Sequence, residues 1–197
     1  VTTSALGHLT STGIRLPAGL FTLRPADPEA DTGLVHRWMN DPEVALFWEL
    51  ACPADRIAGY LREQRASPHS SPWIGSLDGV LMSYWELYRA DLDPLARHYR
   101  ARPHDAGIHL LLGPPGHRGR GIGAQLLRAV SDWQLDADRL AERVVAEPDV
   151  RNTRSVRAFE RAGFRIAREV DLPGKRAALM IRERQGGPSG WPGGEAA

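Results

Sequence analysis

The chain has 197 residues, 42% hydrophobic and 25% charged, with a formal net charge of +1. That length suits one domain with a sizeable core, and so small a charge gives no electrostatic ground for a nucleic-acid partner. Cys52 is the only cysteine, so no intrachain disulfide can form; with no Cys/His motif around it, it reads as a small buried residue of a protein in a reducing compartment. No signal peptide and no membrane-crossing run are evident, so a cytoplasmic location without a membrane partner is expected.

In chain order, residues 1–19 are rich in Thr, Ser and Gly and read as a flexible leader. Residues 21–24 predict a first strand, closed by Pro25. Asp27 or Asp31 can cap a helix that carries Leu34, Val35 and Trp38 on one face, and Asn40-Asp41-Pro42 ends it. Short helices are predicted over 43–48 and 55–65, the second with Ile57, Tyr60 and Leu61 inward. Residues 67–72 read as a loop. Strands at 73–77 and 80–88 flank Asp78-Gly79, a hairpin signal. Residues 89–105 form a long charged connection with Pro94 and Pro103, a length that often carries function.

The informative stretch follows. AGIHLLL at 106–112 is a strand, GPPGHRGRGIG a loop, and a helix begins near Gly121 with Leu126, Leu127 and Val130 inward. A second strand, ERVVAE, and a second helix, NTRSVRAFERAGF, come next. A terminal hairpin turns at Pro173-Gly174, and residues 185–197 read as a disordered tail. Residues 20–184 thus make one α/β (or α+β) domain with a mixed sheet.

The loop spells Arg118-x-x-Gly121-x-Gly123 between an apolar strand and a helix. Glycines let the backbone approach a ligand, and the first N–H groups of a helix point at an anion, so the loop suits a pyrophosphate. A P-loop is excluded, because Gly121 is followed by Ile122, Gly123 and Ala124 rather than Lys and Ser/Thr. A dinucleotide fingerprint is excluded by the spacing of Gly119, Gly121 and Gly123.

This loop, followed by N-x-x-S-x-x-x-F-E-x-x-G-F (Asn152, Ser155, Phe159, Glu160, Gly163, Phe164), resembles the acyl-CoA-binding core of the GNAT acyltransferases. The resemblance spans roughly residues 20–184. It implies a mixed central sheet flanked by helices, an acyl-CoA co-substrate (acetyl-, succinyl- or malonyl-CoA) and no metal. It places the cofactor on Leu110, Leu111 and Leu112 of the strand and on Arg118, Gly119, Arg120, Gly121, Ile122, Gly123 and Ala124 of the loop. Asn152 and Ser155 would meet the pantetheine arm, with helix capping as the other reading of Asn152.

Further stretches narrow the resemblance: Trp38-Met39-Asn40-Asp41-Pro42, Phe47-Trp48-Glu49, the run YWELY at 84–88, and Gly107-Ile108-His109. Together they resemble siderophore-biosynthesis acyltransferases, which acylate N-hydroxylysine or N-hydroxylated diamines to hydroxamates. Aminoglycoside 6′-N-acetyltransferases are near relatives that usually carry Asp near position 109. An aminoglycoside or other small-amine acetyltransferase is therefore the alternative, and a non-catalytic acyl-CoA-binding module a further one. Partners are expected to be the amine acceptor and acyl-CoA, in a monomer or homodimer.

Along a strand side chains alternate, so His109 faces the acceptor side if Ile108, Leu110 and Leu112 face the helices. An imidazole titrating near neutrality suits a general base; a hydrogen-bonded core histidine is the bland reading. Asp149 can orient His109, bind the acceptor ammonium, or complement the dipole of the following helix. Trp48, foremost of Trp48, Trp73 and Trp85, is a candidate for the acceptor pocket, with Tyr84. Glu49, Glu86, Asp91 and Asp105 can neutralise a cationic acceptor. Phe159 stands where many GNAT enzymes carry the Tyr that protonates the departing thiolate, so that proton must come from elsewhere.

Overall fold

The computed structural model describes residues 13–185. Its strands and helices are β1 (Ile14–Leu16), β2 (Gly19–Pro25), α1 (Pro28–Met39), α2 (Pro42–Trp48), α3 (Ala54–Ala66), β3 (Ser70–Leu77), β4 (Val80–Arg89), β5 (Ala106–Leu112), α4 (Ile122–Ala137), β6 (Arg143–Ala146), α5 (Thr153–Arg161), β7 (Arg165–Leu172) and β8 (Lys175–Glu183). The eight strands form one sheet in the order β1-β2-β3-β4-β5-β6-β8-β7. Every neighbouring pair is antiparallel except β5 and β6. The mixed sheet expected from the element order is therefore present.

Side-chain alternation sorts the core into faces. Trp85, Ile108, Val144 and Met180 point to the side covered by α4 and α5, where Leu126, Leu127, Val130 and Phe159 meet them. The other face carries two separate apolar clusters. Ile74, Tyr84 and Leu111 pack under α1 and α3, with Val35, Met39, Ile57 and Leu61. Val145, Leu179 and Ile181 pack with Tyr88, Leu95 and Tyr99 at the far end. The functional groups lie on this second face.

Local chemistry explains the element boundaries. Asp27, not Asp31, caps α1, accepting from the N–H groups of Glu29 (2.8 Å) and Ala30 (3.3 Å), with Pro28 opening the helix. Asp31 is buried and holds Arg24 through two bonds of 2.6 and 2.7 Å. Asp78 (φ 48°) and Gly79 (φ 80°) both take the left-handed conformation that a tight β-hairpin requires.

Three expectations need correction. Residues 13–19 are not part of a flexible leader: β1 pairs with β2, Ile14 opposite Phe21. The leader reading of residues 1–12 and the tail reading of 186–197 lie outside the described residues. Strand β3 begins at Ser70, so it takes in half of the expected 67–72 loop; Ser70 is paired with Tyr88. The 89–105 connection, expected to carry function, is instead tied down by ion pairs. Asp91 binds the Arg89 guanidinium at 2.7 and 2.8 Å. Asp105, 1% exposed, binds Arg143 at 2.6 and 2.7 Å and the Tyr99 hydroxyl at 2.8 Å. Both acids serve the fold. Among the described residues no helix is long and apolar enough to cross a membrane.

Candidate active site

Strands β5 and β6 are in register at only two positions, Ala106 with Val144 and Gly107 with Val145. Beyond these they part. On its other edge β5 stays paired with β4, and two flanking bonds set the phase of that ladder: Ala90 N–H to Asp105 O, and Gly113 N–H to Met82 O. In an antiparallel ladder bonded and non-bonded pairs alternate. His109 and Leu111 therefore spend their main-chain groups on β4, whereas Leu110 and Leu112 direct theirs into the gap. Of the three leucines expected to hold the cofactor, Leu111 is corrected on this ground. The gap opens into a cleft of about 860 Å³ that runs from Gly119 and Gly121 to Trp48, Glu86, His109, Glu147 and Lys175.

At one end lies the glycine loop. Gly119 (φ 72°) and Gly121 (φ 76°) adopt the left-handed conformation, and Gly121 starts the sixteen-residue α4 with no side-chain cap. The first N–H groups of α4 thus lack a side-chain acceptor, the arrangement that favours an anion. Gly123 and Ala124 line the cleft, as do Asn152 and Ser155. Ile122 is turned into the core. The Arg120 guanidinium lies on the surface, 3.4 Å from Gly116 O.

Arg118 departs from expectation. It lines the cleft, but its guanidinium is already engaged: it donates to Leu112 O (3.0 Å), to Gly113 O and to both carboxylate oxygens of Asp41 (3.1 and 3.0 Å). The same bonds hold the Asp41 pKa below the usual carboxylate range. Asp41 also caps α2 through the Glu43 N–H. Arg118 thus latches the loop to the α1–α2 turn. Asn152 caps α5, its side-chain oxygen accepting from the Ser155 N–H at 3.1 Å, so the capping reading describes it.

The other end holds a polar cluster around His109, between the two apolar clusters of that face. Glu86 is the cross-strand partner of His109 and accepts from Nδ1 at 3.0 Å. Glu147, just past β6, accepts from Nε2 at 2.6 Å. Both ring nitrogens therefore face carboxylate oxygens. Glu86 also accepts from the hydroxyls of Tyr60 and Tyr84, and Glu147 from that of Tyr88 at 3.0 Å. Burial keeps all three phenols protonated well beyond their ordinary range, so each has a proton to donate. Glu147, with His109, Lys175 and the Tyr88 hydroxyl beside it, is held ionised, and an imidazolium satisfies both carboxylates by donating from both ring nitrogens.

The electrostatics agree. Burial alone would lower the His109 pKa, but the charge and hydrogen bond of Glu147, joined by those of Glu86, push it up to about 10. Burial would raise Glu147; His109, Lys175 and the Tyr88 hydroxyl instead bring it down to about 2. The expectation of a base titrating near 6.5 is thereby corrected: His109 rests as an imidazolium. Trp48 stands edge-on to the His109 ring, 6.2 Å between centroids, and lines the cleft.

Further placements differ from expectation. Asp149 does not reach His109; it binds the Arg151 guanidinium (2.6–3.1 Å) and the Arg151 N–H (2.8 Å), which lowers its pKa. The partner of His109 is Glu147, two residues earlier. Tyr84 is fully buried and acts on the cluster through Glu86, not as a pocket wall. Trp73 and Trp85 are core residues, 3% and 0% exposed. Glu49 ends α2 with φ 58° and stands at the rim, facing Gly174. Asp91 and Asp105 lie away from the cleft, for the reasons given above. Sequence reading missed Tyr60, Tyr88, Glu147, Lys175 and the latch partner Asp41. The alternation of Tyr84, Glu86 and Tyr88 along one strand was a usable signal for one of them. Among the described residues no group of His, Cys, Asp and Glu is arranged to hold a metal ion.

Comparison with known proteins agrees with this geometry. The model of the acetyltransferase (GNAT) domain matches residues 27–172. N(6)-hydroxylysine O-acetyltransferase of Escherichia coli is 38% identical over 84% of the chain, which spans 52% of that protein's length. Lysine N-acyltransferase MbtK of Mycobacterium sp. (strain MCS) is 39% identical over 83% of the chain and 67% of its own length. A crystal structure of an uncharacterized protein from Bacillus halodurans superposes with a TM-score of 0.80 at 34% identity, covering 83% of this chain and 84% of the other. With a cofactor loop, a parted strand pair and a domain match over most of its length, the chain belongs to the GNAT acetyltransferase family.

Proposed function

We propose that the protein transfers an acyl group from acyl-CoA to the nitrogen of an N-hydroxylated amine, giving a hydroxamate of the kind used in siderophores. The observation that carries this reading is the continuity of the cleft: an uncapped helix N-terminus at one end and the His109 cluster at the other, with the main-chain groups of Leu110 and the Leu112 N–H directed into the gap between. The names of the relatives supply the acceptor class, a lysine or hydroxylysine. The diphosphate would sit on the α4 N-terminus, and the Leu110 N–H would polarise the thioester carbonyl.

A hydroxylamine nitrogen is mostly neutral near pH 7 and needs no strong base. It attacks the carbonyl carbon, the C–N bond forms, and the C–S bond breaks. The adduct nitrogen must lose one proton and the departing thiolate must gain one. Phe159 is buried against Phe164 and offers no hydroxyl. In this reading the imidazolium of His109 supplies the thiolate's proton, and the neutral ring then takes the acidic proton of the acylated nitrogen. The resting state returns with no net proton change. Glu147 and Glu86 hold the ring in place throughout.

The cleft favours this acceptor over a polycationic aminoglycoside. Its acids are already matched by internal bases: Asp149 by Arg151, Glu147 by His109 and Lys175, Glu86 by His109, and Glu43 by Arg154. The test is to incubate purified protein with acetyl-, succinyl- or malonyl-CoA and N6-hydroxylysine or N-hydroxycadaverine. Thiol release with formation of a ferric-binding hydroxamate is expected. CoA binding without thiol release in every combination would sink the reading.

A further inference from the structure

Lys175 is the chain's only lysine. It opens β8, directly after the Pro173-Gly174 turn, and lines the reaction cleft with its side chain 27% exposed. Its placement is rigid. Opposite the first residues of β8 runs the segment after β6: Val150 N–H bonds Arg176 O at 3.0 Å, and Ala178 N–H bonds Pro148 O at 2.9 Å. The Lys175 backbone is thus fixed relative to that of Glu147.

The Lys175 ammonium is only loosely engaged. It lies 3.5 Å from Glu147 Oε1, longer than an ordinary hydrogen bond, and the same oxygen already accepts from His109 at 2.6 Å. Arg151, 65% exposed, stands on the same wall of the cleft with its guanidinium on Asp149. Neither cation is where a CoA diphosphate belongs. Glu147 contacts His109, whereas the first turn of α4 packs through Gly123 against Leu112, three residues and about 10 Å further along β5. A cation with donors to spare, held beside the reacting groups and away from the phosphates, calls for an anion on the part of the substrate that reacts.

We propose that Lys175 recognises a carboxylate on the reacting substrates and so selects a carboxylate-bearing partner over its neutral or decarboxylated counterpart. The proposal rests on the acyl transfer proposed above. A carboxylate can arrive by two routes, on an amino-acid acceptor or at the far end of a dicarboxylic acyl group. Both would present two oxygens to the ammonium, and assay of each separately tells them apart.

The experiment measures kcat/KM for three pairs with the full chain. The reference pair is acetyl-CoA with N-hydroxycadaverine. N6-hydroxylysine replaces the acceptor in the second pair, and succinyl-CoA replaces the donor in the third. The read-out is the ratio of each carboxylate pair to the reference, in wild type, Lys175→Met and Lys175→Arg. A charged hydrogen bond of ordinary strength corresponds to a fall of roughly 10–100-fold in one ratio on Lys175→Met, with most of it restored by Lys175→Arg. The ratio that falls identifies the source of the carboxylate. If both ratios stay constant while absolute rates change, Lys175 merely neutralises Glu147 and the proposal is overturned. If wild type releases no thiol with any pair, the function proposed above fails, and binding decides the present point. Calorimetry would then compare lysine with cadaverine on the CoA-loaded protein, and succinyl-CoA with acetyl-CoA. A preference for the carboxylate that Lys175→Met abolishes supports the proposal; equal binding in wild type overturns it.

Discussion

Gly107 and Tyr88 are cross-strand partners, and the Tyr88 ring fills the space that a side chain at 107 would need: a Cβ there would come within 2.2 Å of it. Because Gly107 is bare, the ring can lie over the strand and bring its hydroxyl to Glu147, 3.3 Å from His109 Nε2. The Gly-x-His pattern is thus a packing device with a chemical result.

Gly107→Ala should therefore displace Tyr88. The expected cost is about 1–3 kcal/mol of stability, as for other overpacked sites. Activity should fall further than Tm suggests, because Glu147 loses a donor. Gly107→Ala combined with Tyr88→Ala removes the clash but leaves a cavity and Glu147 short of a donor, so neither stability nor rate should return to wild type. Chemical denaturation alongside steady-state assays checks both; full activity in Gly107→Ala would refute the arrangement.

Glu147→Gln tests the charge balance around His109. The raised His109 pKa contributes stability that is fully present below its unfolded value of about 6.5 and is lost as pH rises through about 10. The lowered Glu147 pKa contributes stability present above its unfolded value of 4.5 and lost as pH falls through about 2. The difference in unfolding free energy between wild type and variant should thus be widest between roughly pH 4.5 and 6.5 and shrink on both sides. Its maximum should be about 2–3 kcal/mol, at the low end for a broken buried pair because the His109 ring is partly exposed. A difference that is flat from pH 4 to 10 would contradict the pairing.

The pH–rate profile should carry the same signature. Wild-type kcat should show no rising limb with a midpoint near 6.5, and should decline as the imidazolium loses its proton toward pH 10. Glu147→Gln should move that decline to lower pH. His109→Ala should abolish it and lower kcat by roughly 10²-fold with little change in the KM for acyl-CoA. A rising limb near 6.5 at saturating acceptor, lost in His109→Ala, would restore the general-base reading.

Gly123→Asp separates cofactor binding from folding. A Cβ at 123 meets Leu112 at 3.6 Å and Ala158 at 3.9 Å, ordinary contacts. An acid in the first turn of α4 favours the helix dipole, so Tm should hold or rise slightly. The same carboxylate repels a diphosphate, and affinity for CoA should drop by at least tenfold. Retained affinity in calorimetry would place the phosphates elsewhere.

Arg118→Ala should act through the latch. Removing bonds to Leu112 O, Gly113 O and Asp41 should cost about 1–3 kcal/mol, and CoA should bind more weakly because the loop is no longer held. Asp41→Asn should reproduce part of both effects. A role in direct phosphate contact predicts instead that Asp41→Asn leaves CoA affinity intact.

The strand, glycine loop and helix from 106 to 137 were legible because their determinants are local. Gly119, Gly121 and Gly123 sit within five residues, between a strand and a helix that their own periodicity declares. The reacting end was legible only in part. Alternation along one strand was enough to place His109; Glu86 was read as an acid for a cationic acceptor, and its pairing with His109 rests on the β4–β5 register. Glu147 is 38 residues away from His109 in sequence, and its approach depends on how β6 aligns with β5. Position after the strand at 143–146 favoured Asp149, whose neighbour Arg151 had already claimed it. Asp91 and Asp105 misled for a related reason. An acid in a long connection looks free until Arg143, from another strand, is known to lie against it.

The parting of β5 from β6 has a mechanical side. Strands β1 to β5 form one antiparallel block and β6, β8 and β7 another, and only two residue pairs stitch the blocks together within the sheet. The seam is where amide hydrogens should exchange soonest in the empty protein, ahead of the interior of either block. A cofactor seated in the seam spans both blocks, so its binding should slow exchange in β6 and β8 as well as in the loop it touches. With the cofactor placed as proposed, the gap would make it a tie-bar between two halves of a sheet.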